Sequence, residues 1–230
     1  MTLRSLRGSC EPESVVVFSH GFGVGKDARG LFADIAGALP VATVMFDYNE
    51  VDPGDGSLTV APLDTQARKL GQAIAAARAQ YPGLPVDLVC HSQGCVVAAI
   101  LRPAGVRRAV FLAPPATLSA QRMKRQFGGR PGSRISMDGV SLLRRSDGTF
   151  TKVPATYWPS IQNRNVPQLC NDFAAITDLV VVIAAMDEVV GAGDFSRLSP
   201  DVRVIQLPAR HNFDGAERPE LLRVVREALA

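Results

Sequence analysis

The sequence predicts an α/β protein with a mostly parallel central sheet flanked by helices. Three observations predict it. Short apolar runs alternate with longer amphipathic segments, the runs are apolar throughout, and turn residues flank them. Strand–helix alternation builds parallel units with helices on both sheet faces. A strand covered on both faces carries no polar alternation.

Six runs read as strands: Val15-Val16-Val17-Phe18, Val44-Met45-Phe46, Val86-Asp87-Leu88-Val89, Ala109-Val110-Phe111-Leu112, Leu179 to Ile183 and Val202-Arg203-Val204-Ile205. Helices lie between them. Leu63, Ala67, Leu70, Ile74, Ala77 and Tyr81 share one helical face, and Pro82-Gly83 ends it. Leu31, Ile35 and Leu39 mark an earlier helix, and Leu221, Val224, Val225 and Ala228 a final one. The alternation breaks once, from Pro114 to Asp172. That stretch is rich in Arg, Gly, Pro and Ser and contains an expected hairpin, Ile135 to Leu143 with Thr149 to Val153, turning near Ser146-Asp147-Gly148. A segment this long and irregular reads as a lid insertion, 114–172, in one domain spanning 1–230.

Composition narrows the function classes. Apolar residues are 47% of the chain and charged residues 20%, as in soluble globular proteins. The formal net charge is +3, and basic residues are scattered except at Arg122 to Arg130 and Arg144-Arg145. Solvated faces account for those stretches, so nucleic acid is not an expected partner. No apolar run is long enough to span a bilayer, and Met1 to Arg7 is not a secretory signal. The four cysteines are widely spaced, and Cys90 and Cys95 fit no zinc pattern. Free thiols in a reducing cytoplasm are expected, with neither metal nor cofactor.

The chemistry begins where the strand ending at Val89 runs into Cys90-His91-Ser92-Gln93-Gly94 and then into the helical Cys95 to Ile100. Strand, tight turn and helix are the context of a nucleophile elbow, whose serine is raised above the sheet in a strained conformation. Small residues must flank it where the backbones approach. Gly94 meets that need, and Cys90 stands where a glycine is usual.

An activated serine needs a base, and the base an orienting acid. Of three histidines, His20 lies in His20-Gly21-Phe22-Gly23 and His91 adjoins Ser92. His211 remains, on the loop after the last strand, at the sheet edge where such sites form. The acid should follow another strand between Ser92 and His211. Asp187 is the first carboxylate there, Glu188 is the runner-up, and Asp178 lies at the strand's wrong end. Backbone N–H groups of Gln93 and Phe22 are placed to receive a developing oxyanion.

A phosphate loop at Gly21-Phe22-Gly23-Val24-Gly25-Lys26 fits badly. Gly21 is one residue too close to Gly25-Lys26, and Asp27 stands where Ser or Thr would bind magnesium. The dinucleotide glycine spacing fails at Gly25. Asp27 reads instead as an N-cap of the Leu31 helix.

Taken together, His20-Gly21-Phe22-Gly23, Phe46-Asp47-Tyr48, His91-Ser92-Gln93-Gly94, Asp187-Glu188-Val189-Val190 and His211-Asn212-Phe213 resemble the α/β-hydrolase fold, in its serine esterase and serine aminopeptidase-like group. The resemblance implies Ser92 as nucleophile, Asp187 and His211 as partners, and Phe22 and Gln93 as oxyanion donors. The insertion resembles the small lids of bacterial cinnamoyl and feruloyl esterases. Three departures stand out: Cys90 for glycine, Gly191 for the usual proline, and only about fourteen residues before Val15, which implies one or two missing edge strands.

The function expected is cleavage of a carboxylic ester of a small acyl substrate through an acyl-serine intermediate. A thioesterase, an acyltransferase or a non-catalytic small-molecule binder on the same fold are the alternatives. Tyr157 and Trp158, in the insertion, are candidate substrate contacts, with anchoring of the lid as the competing role.

Overall fold

The computed structural model describes residues 2–4, 12–145 and 147–230, the first three by backbone alone. In chain order its elements begin with β1 (Thr2–Arg4), β2 (Val15–Ser19), α1 (Leu31–Ala38), β3 (Ala42–Met45), β4 (Glu50–Val51), β5 (Leu58–Thr59), α2 (Leu63–Gln80), β6 (Val86–His91) and α3 (Gln93–Leu101). There follow β7 (Val106–Leu112), α4 (Ala120–Gly128), β8 (Ser141–Arg144), β9 (Phe150–Val153), α5 (Tyr157–Ser160), α6 (Val166–Ala174), β10 (Asp178–Ala184), β11 (Arg203–Leu207) and α7 (Arg218–Leu229).

The main sheet has the order β1-β3-β2-β6-β7-β10-β11, parallel except for β1, which runs antiparallel at the edge beside β3. All six expected strands are in it. Alternate side chains of β2 explain why the runs are apolar throughout. Val15 and Val17 enter one core, with α2, α3 and α6, while Val16 and Phe18 enter the other, with α1 and α7. Cys90, Cys95 and Cys170 are free and buried. Among the described residues no helix is long and apolar enough to cross a membrane.

A second, four-stranded sheet has the order β4-β5-β9-β8. Its β8–β9 ladder is the expected hairpin, but the first arm starts at Ser141 rather than Ile135. The reason is local. The Ser141 hydroxyl donates to the Ser136 carbonyl and accepts from the Ser136 N–H, curling 136–141 into a turn. Ser146, at the expected hairpin turn, lies outside the described residues. At the end of the irregular stretch, α6 packs on α3 as an ordinary layer helix. The N-terminus of α1 also differs from expectation. Gly30, with φ of 88°, precedes the helix, and the Asp27 carbonyl rather than its carboxylate accepts the Phe32 N–H.

Among the described glycines, Gly94 has the tightest surroundings, where α3 meets β2. A Cβ at Gly94 would stand 2.1 Å from the Ser19 carbonyl oxygen and 2.7 Å from that of His20. Both are backbone atoms that cannot rotate aside. Gly94→Ala must therefore lift α3 off the sheet, and we expect about 3 kcal/mol of lost stability. Urea unfolding reads this directly, and an unchanged midpoint would disprove the close contact.

Candidate active site

Ser92 sits between β6 and α3 with φ of 55° and ψ of −125°, in a region where L-residues are strained. Its N–H is held by the Leu112 carbonyl, at 2.8 Å. Across the turn, a Cβ at Gly21 would lie 3.1 Å from that of Ser92, so a larger residue there would have to push the loop after β2 or the serine aside by a few tenths of an ångström. Cys90 is no obstacle to the elbow. It pairs with Ser19 and Phe111 inside the sheet and is fully buried there.

Two loops bring the partners. His211 follows β11 and Asp187 follows β10. The Ala185 and Met186 N–H groups donate to Leu207 and Ala209, so the loops are stitched together. The His211 Nδ1–H donates to Asp187 Oδ2 at 2.7 Å, which leaves Nε2 unprotonated to accept from the Ser92 hydroxyl at 3.1 Å. Burial pushes the Asp187 carboxyl up. The hydrogen bond and electrostatic attraction from His211, with the Val190 and Val189 N–H groups, outweigh that and hold it below the usual range. Glu188 restrains the backbone of His211 rather than its ring, and its Oε2 accepts the His211 main-chain N–H at 3.1 Å.

His91 supports the same loop. Its Nε2–H donates to the His211 carbonyl at 3.0 Å, and the two rings lie 4.9 Å apart. The bond assigns its tautomer, and Nδ1 is left buried without a partner. Burial, then the neighbouring His211, push its imidazole down to about 3.

The loop after β2 is braced from the end of β3. His20 Nδ1–H donates to the Gly21 carbonyl and Nε2 accepts the Tyr48 N–H at 3.0 Å, so this buried ring is neutral. The Tyr48 hydroxyl bonds the Ser19 hydroxyl, which donates to Gly94. The Asn49 side chain holds the Val24 carbonyl. The backbone N–H groups of Phe22 and Gln93 have no acceptor among the described residues. A cavity of about 480 Å³ opens above Ser92 and His211, with Phe22, Leu118, Met123, Phe127 and Val190 among its apolar walls.

Tyr157 and Trp158 do not line this cavity. Both are at most 1% exposed, in the core beneath it. The Tyr157 hydroxyl donates to Gln93 Oε1, and Gln93 Nε2 donates to Gln66 Oε1 at 3.0 Å. Gln66 in turn holds the Ala61 carbonyl. This hydrogen-bonded chain accounts for Gln66, a polar residue on the apolar face of α2 beside Leu63, Ala67 and Leu70, and that break in the apolar pattern is its signal in the sequence. Nothing in the sequence points to the roles of Glu188 and His91.

The fold and this site define an α/β protein with a Ser–His–Asp line at the carboxyl edge of its sheet. The model of the alpha/beta hydrolase family matches residues 16–223, and the chain belongs to that family. Among similar solved structures is Est1E from Butyrivibrio proteoclasticus with ferulic acid bound, 18% identical over 99% of this chain and 92% of that one, with a TM-score of 0.73. An esterase from Pyrococcus furiosus is 16% identical over 95% and 81%, TM-score 0.68. A monoacylglycerol lipase from Paleococcus ferrophilus is 17% identical over 94% of each chain, TM-score 0.61. No curated protein sequence matches.

Two measurements test this description. Trp158→Ala should cost about 3–5 kcal/mol of stability by leaving a core cavity. It should leave the ratio of kcat/KM values between long and short acyl substrates unchanged, and a shifted ratio would make Trp158 a pocket wall after all. The second concerns pH. The unfolded His91 imidazole titrates near 6.5 and the buried one near about 3. Between these values the unfolded state binds the extra proton. His91 thus contributes stability that is complete above 6.5 and is lost as pH falls. His91→Gln should remove up to about 1.4 kcal/mol per pH unit of that decline. Unfolding curves of equal pH slope in both proteins would show that His91 is not buried neutral.

Proposed function

We propose that the protein is a serine hydrolase that cleaves a carboxylic ester of a small acyl substrate, a carboxylesterase, through an acyl-Ser92 intermediate. The observation that carries the reading is the line Asp187–His211–Ser92, at 2.7 and 3.1 Å, beside two unused backbone N–H groups at the floor of a cavity.

The steps follow from that arrangement. His211 Nε2 takes the Ser92 proton as Oγ attacks the ester carbonyl. Asp187 keeps the ring in the required tautomer and stabilises the imidazolium. The carbonyl oxygen becomes an oxyanion and turns to the Phe22 and Gln93 N–H groups. Each such donor typically contributes about 3 kcal/mol to lowering the barrier. His211 then returns its proton to the leaving alkoxide oxygen, releasing the alcohol. Water, deprotonated by the same Nε2, attacks acyl-Ser92, and His211 returns that proton to Ser92 Oγ as the C–O bond breaks and the acid leaves. No step needs a metal or nucleotide, so a chelator should leave the rate unchanged. Tyr157 acts behind the chemistry: with Gln66 it fixes the Gln93 side chain, and so the residue whose N–H receives the oxyanion.

A fluorophosphonate should label Ser92, and Ser92→Ala should lower ester hydrolysis by a factor on the order of 10⁵–10⁶ with the fold intact. His211→Ala should lose nearly as much, since the residues act as a unit. Labelling of a different serine, or an active Ser92→Ala protein, overturns the assignment.

A further inference from the structure

The cavity over Ser92 is ringed by arginines. Arg29 comes from the loop before α1, Arg122 from α4, Arg130 from just beyond it, and Arg144 and Arg145 from the end of β8. Among the described lining residues the one carboxylate is Glu188, and it is already engaged. Its two oxygens hold the His211 N–H, at 3.1 Å, and the Arg210 guanidinium, at 3.7 Å. Of the five arginines only Arg145 has an acidic partner among the described residues, Asp147 at 3.6 Å. Five arginines thus stand against one carboxylate in this lining, although the chain's formal net charge is only +3. The two locally basic stretches of the sequence are therefore brought together at the cavity by the fold, joined there by Arg29.

Two of these guanidiniums are also held in place. Arg130 lies over the Phe127 ring at 4.6 Å, and Arg144 over that of Phe150 at 5.1 Å. Stacking on a ring occupies a guanidinium face and leaves its edge N–H donors free. Like charges gathered round the mouth of a cleft repel one another and draw in an anion. Forked guanidinium donors match the paired oxygens of a carboxylate or a phosphate.

We propose that the substrate carries an anionic group, a carboxylate or a phosphate, remote from the bond that is cut, and that the arginine rim binds it. The inference rests on Ser92 being the nucleophile. It adds the class of substrate. The uncharged acyl or alcohol portion lies against Phe22, Met123 and Phe127, and the charged end reaches Arg122, Arg144 and their neighbours.

Matched substrate pairs test it. One is 4-nitrophenyl hydrogen glutarate against its methyl ester, which places or removes a carboxylate on the acyl side. The other is 2-(phosphonooxy)ethyl butyrate against 2-hydroxyethyl butyrate, which does the same with a phosphate on the alcohol side. In at least one pair the anionic member should have a kcat/KM about tenfold higher. Whichever pair shows it identifies the anion. Raising salt to about 0.5 M should shrink the advantage, because the rim is exposed and its charges are screened. Arg122→Gln with Arg144→Gln should bring the ratio towards one. Both positions are exposed, and a melting curve checks that the variant folds. Fluorophosphonate labelling runs in parallel. Labelled Ser92 with no preference in either pair overturns the anionic substrate and leaves the serine assignment standing. No labelling at Ser92 overturns both.

Discussion

Much of this molecule depends on the approach of Gly94 to the backbone of β2. With no side chain at that position, the first turn of α3 lies directly on the Ser19 and His20 carbonyls. Three consequences follow from one contact. The chain must turn so sharply between β6 and α3 that Ser92 is forced to positive φ, which raises its hydroxyl out of the sheet. The N-terminus of α3 is set beside the loop that follows β2, so the Gln93 and Phe22 N–H groups come to the same space. And the loop itself is tight at Gly21, where a Cβ would stand 3.1 Å from that of Ser92. Strain at the serine is sustained by packing elsewhere. The β2 and β6 strands, buried along their whole length, supply it.

Around that contact lies a shell of buried polar groups, nearly all satisfied. The sequence Ser19–Tyr48–Gly94 and the bonds of His20 secure one side of the serine. Tyr157, Gln93 and Gln66 secure another, and His91 with Glu188 secures the His211 loop. Except at Glu188, whose side chain is 41% exposed, each group is desolvated, and a lost partner would leave a buried donor or acceptor unpaired, at a cost of about 1–3 kcal/mol. Such shells hold a few side chains in one geometry at the expense of plasticity. Arg218 extends the same function to the surface. It binds the Asn212 and Phe213 carbonyls and the Asp34 carboxylate, so α7 and α1 both restrain the loop that carries His211.

The sequence was legible where the physics is local or periodic. Continuous apolar runs show that both faces of a strand are covered, and all six such runs are sheet strands. A strand running into His91-Ser92-Gln93-Gly94 and then a helix is a local pattern too, and it led to Ser92. The elimination that picked His211 and Asp187 used only chain order and strand ends, yet the structure brings these three side chains into one line. What stayed hidden is long-range. The β4–β5 strands are two residues each and carry no pattern, becoming strands only because β9 pairs beside Leu58 and Thr59. Tyr157 and Trp158 show the converse error of inference. Aromatic residues in an insertion can as well be its anchors as its lining, and burial decides. The clustering of Arg29 with Arg122 and Arg144 is invisible too, since these residues stand far apart along the chain.

The second sheet explains how the insertion shapes the cavity. An irregular segment joined to a sheet edge by two hinges alone could swing as a flap. Here the body supplies strand β5 to the insertion's own hairpin, in a parallel pairing of Leu58 with Thr151 and Thr59 with Lys152. The Lys152 ammonium then meets the Asp52 and Asp55 carboxylates of the β4–β5 turn, and the Leu63 N–H of α2 is held by the Ser160 hydroxyl. These bonds join the insertion to the body at points far apart in the chain. Thr151, a member of the paired strand, faces Gly23 so closely that a Cβ there would lie 3.1 Å from its hydroxyl. The ladder therefore sets the distance between the insertion and the loop that bears the Phe22 N–H. The cavity's width over Ser92 is thus built into backbone pairing, while its charge is carried by arginines on the exposed rim. Shape and charge are set by different parts of the chain, and a change in either can alter which substrate fits without disturbing Ser92, His211 or Asp187.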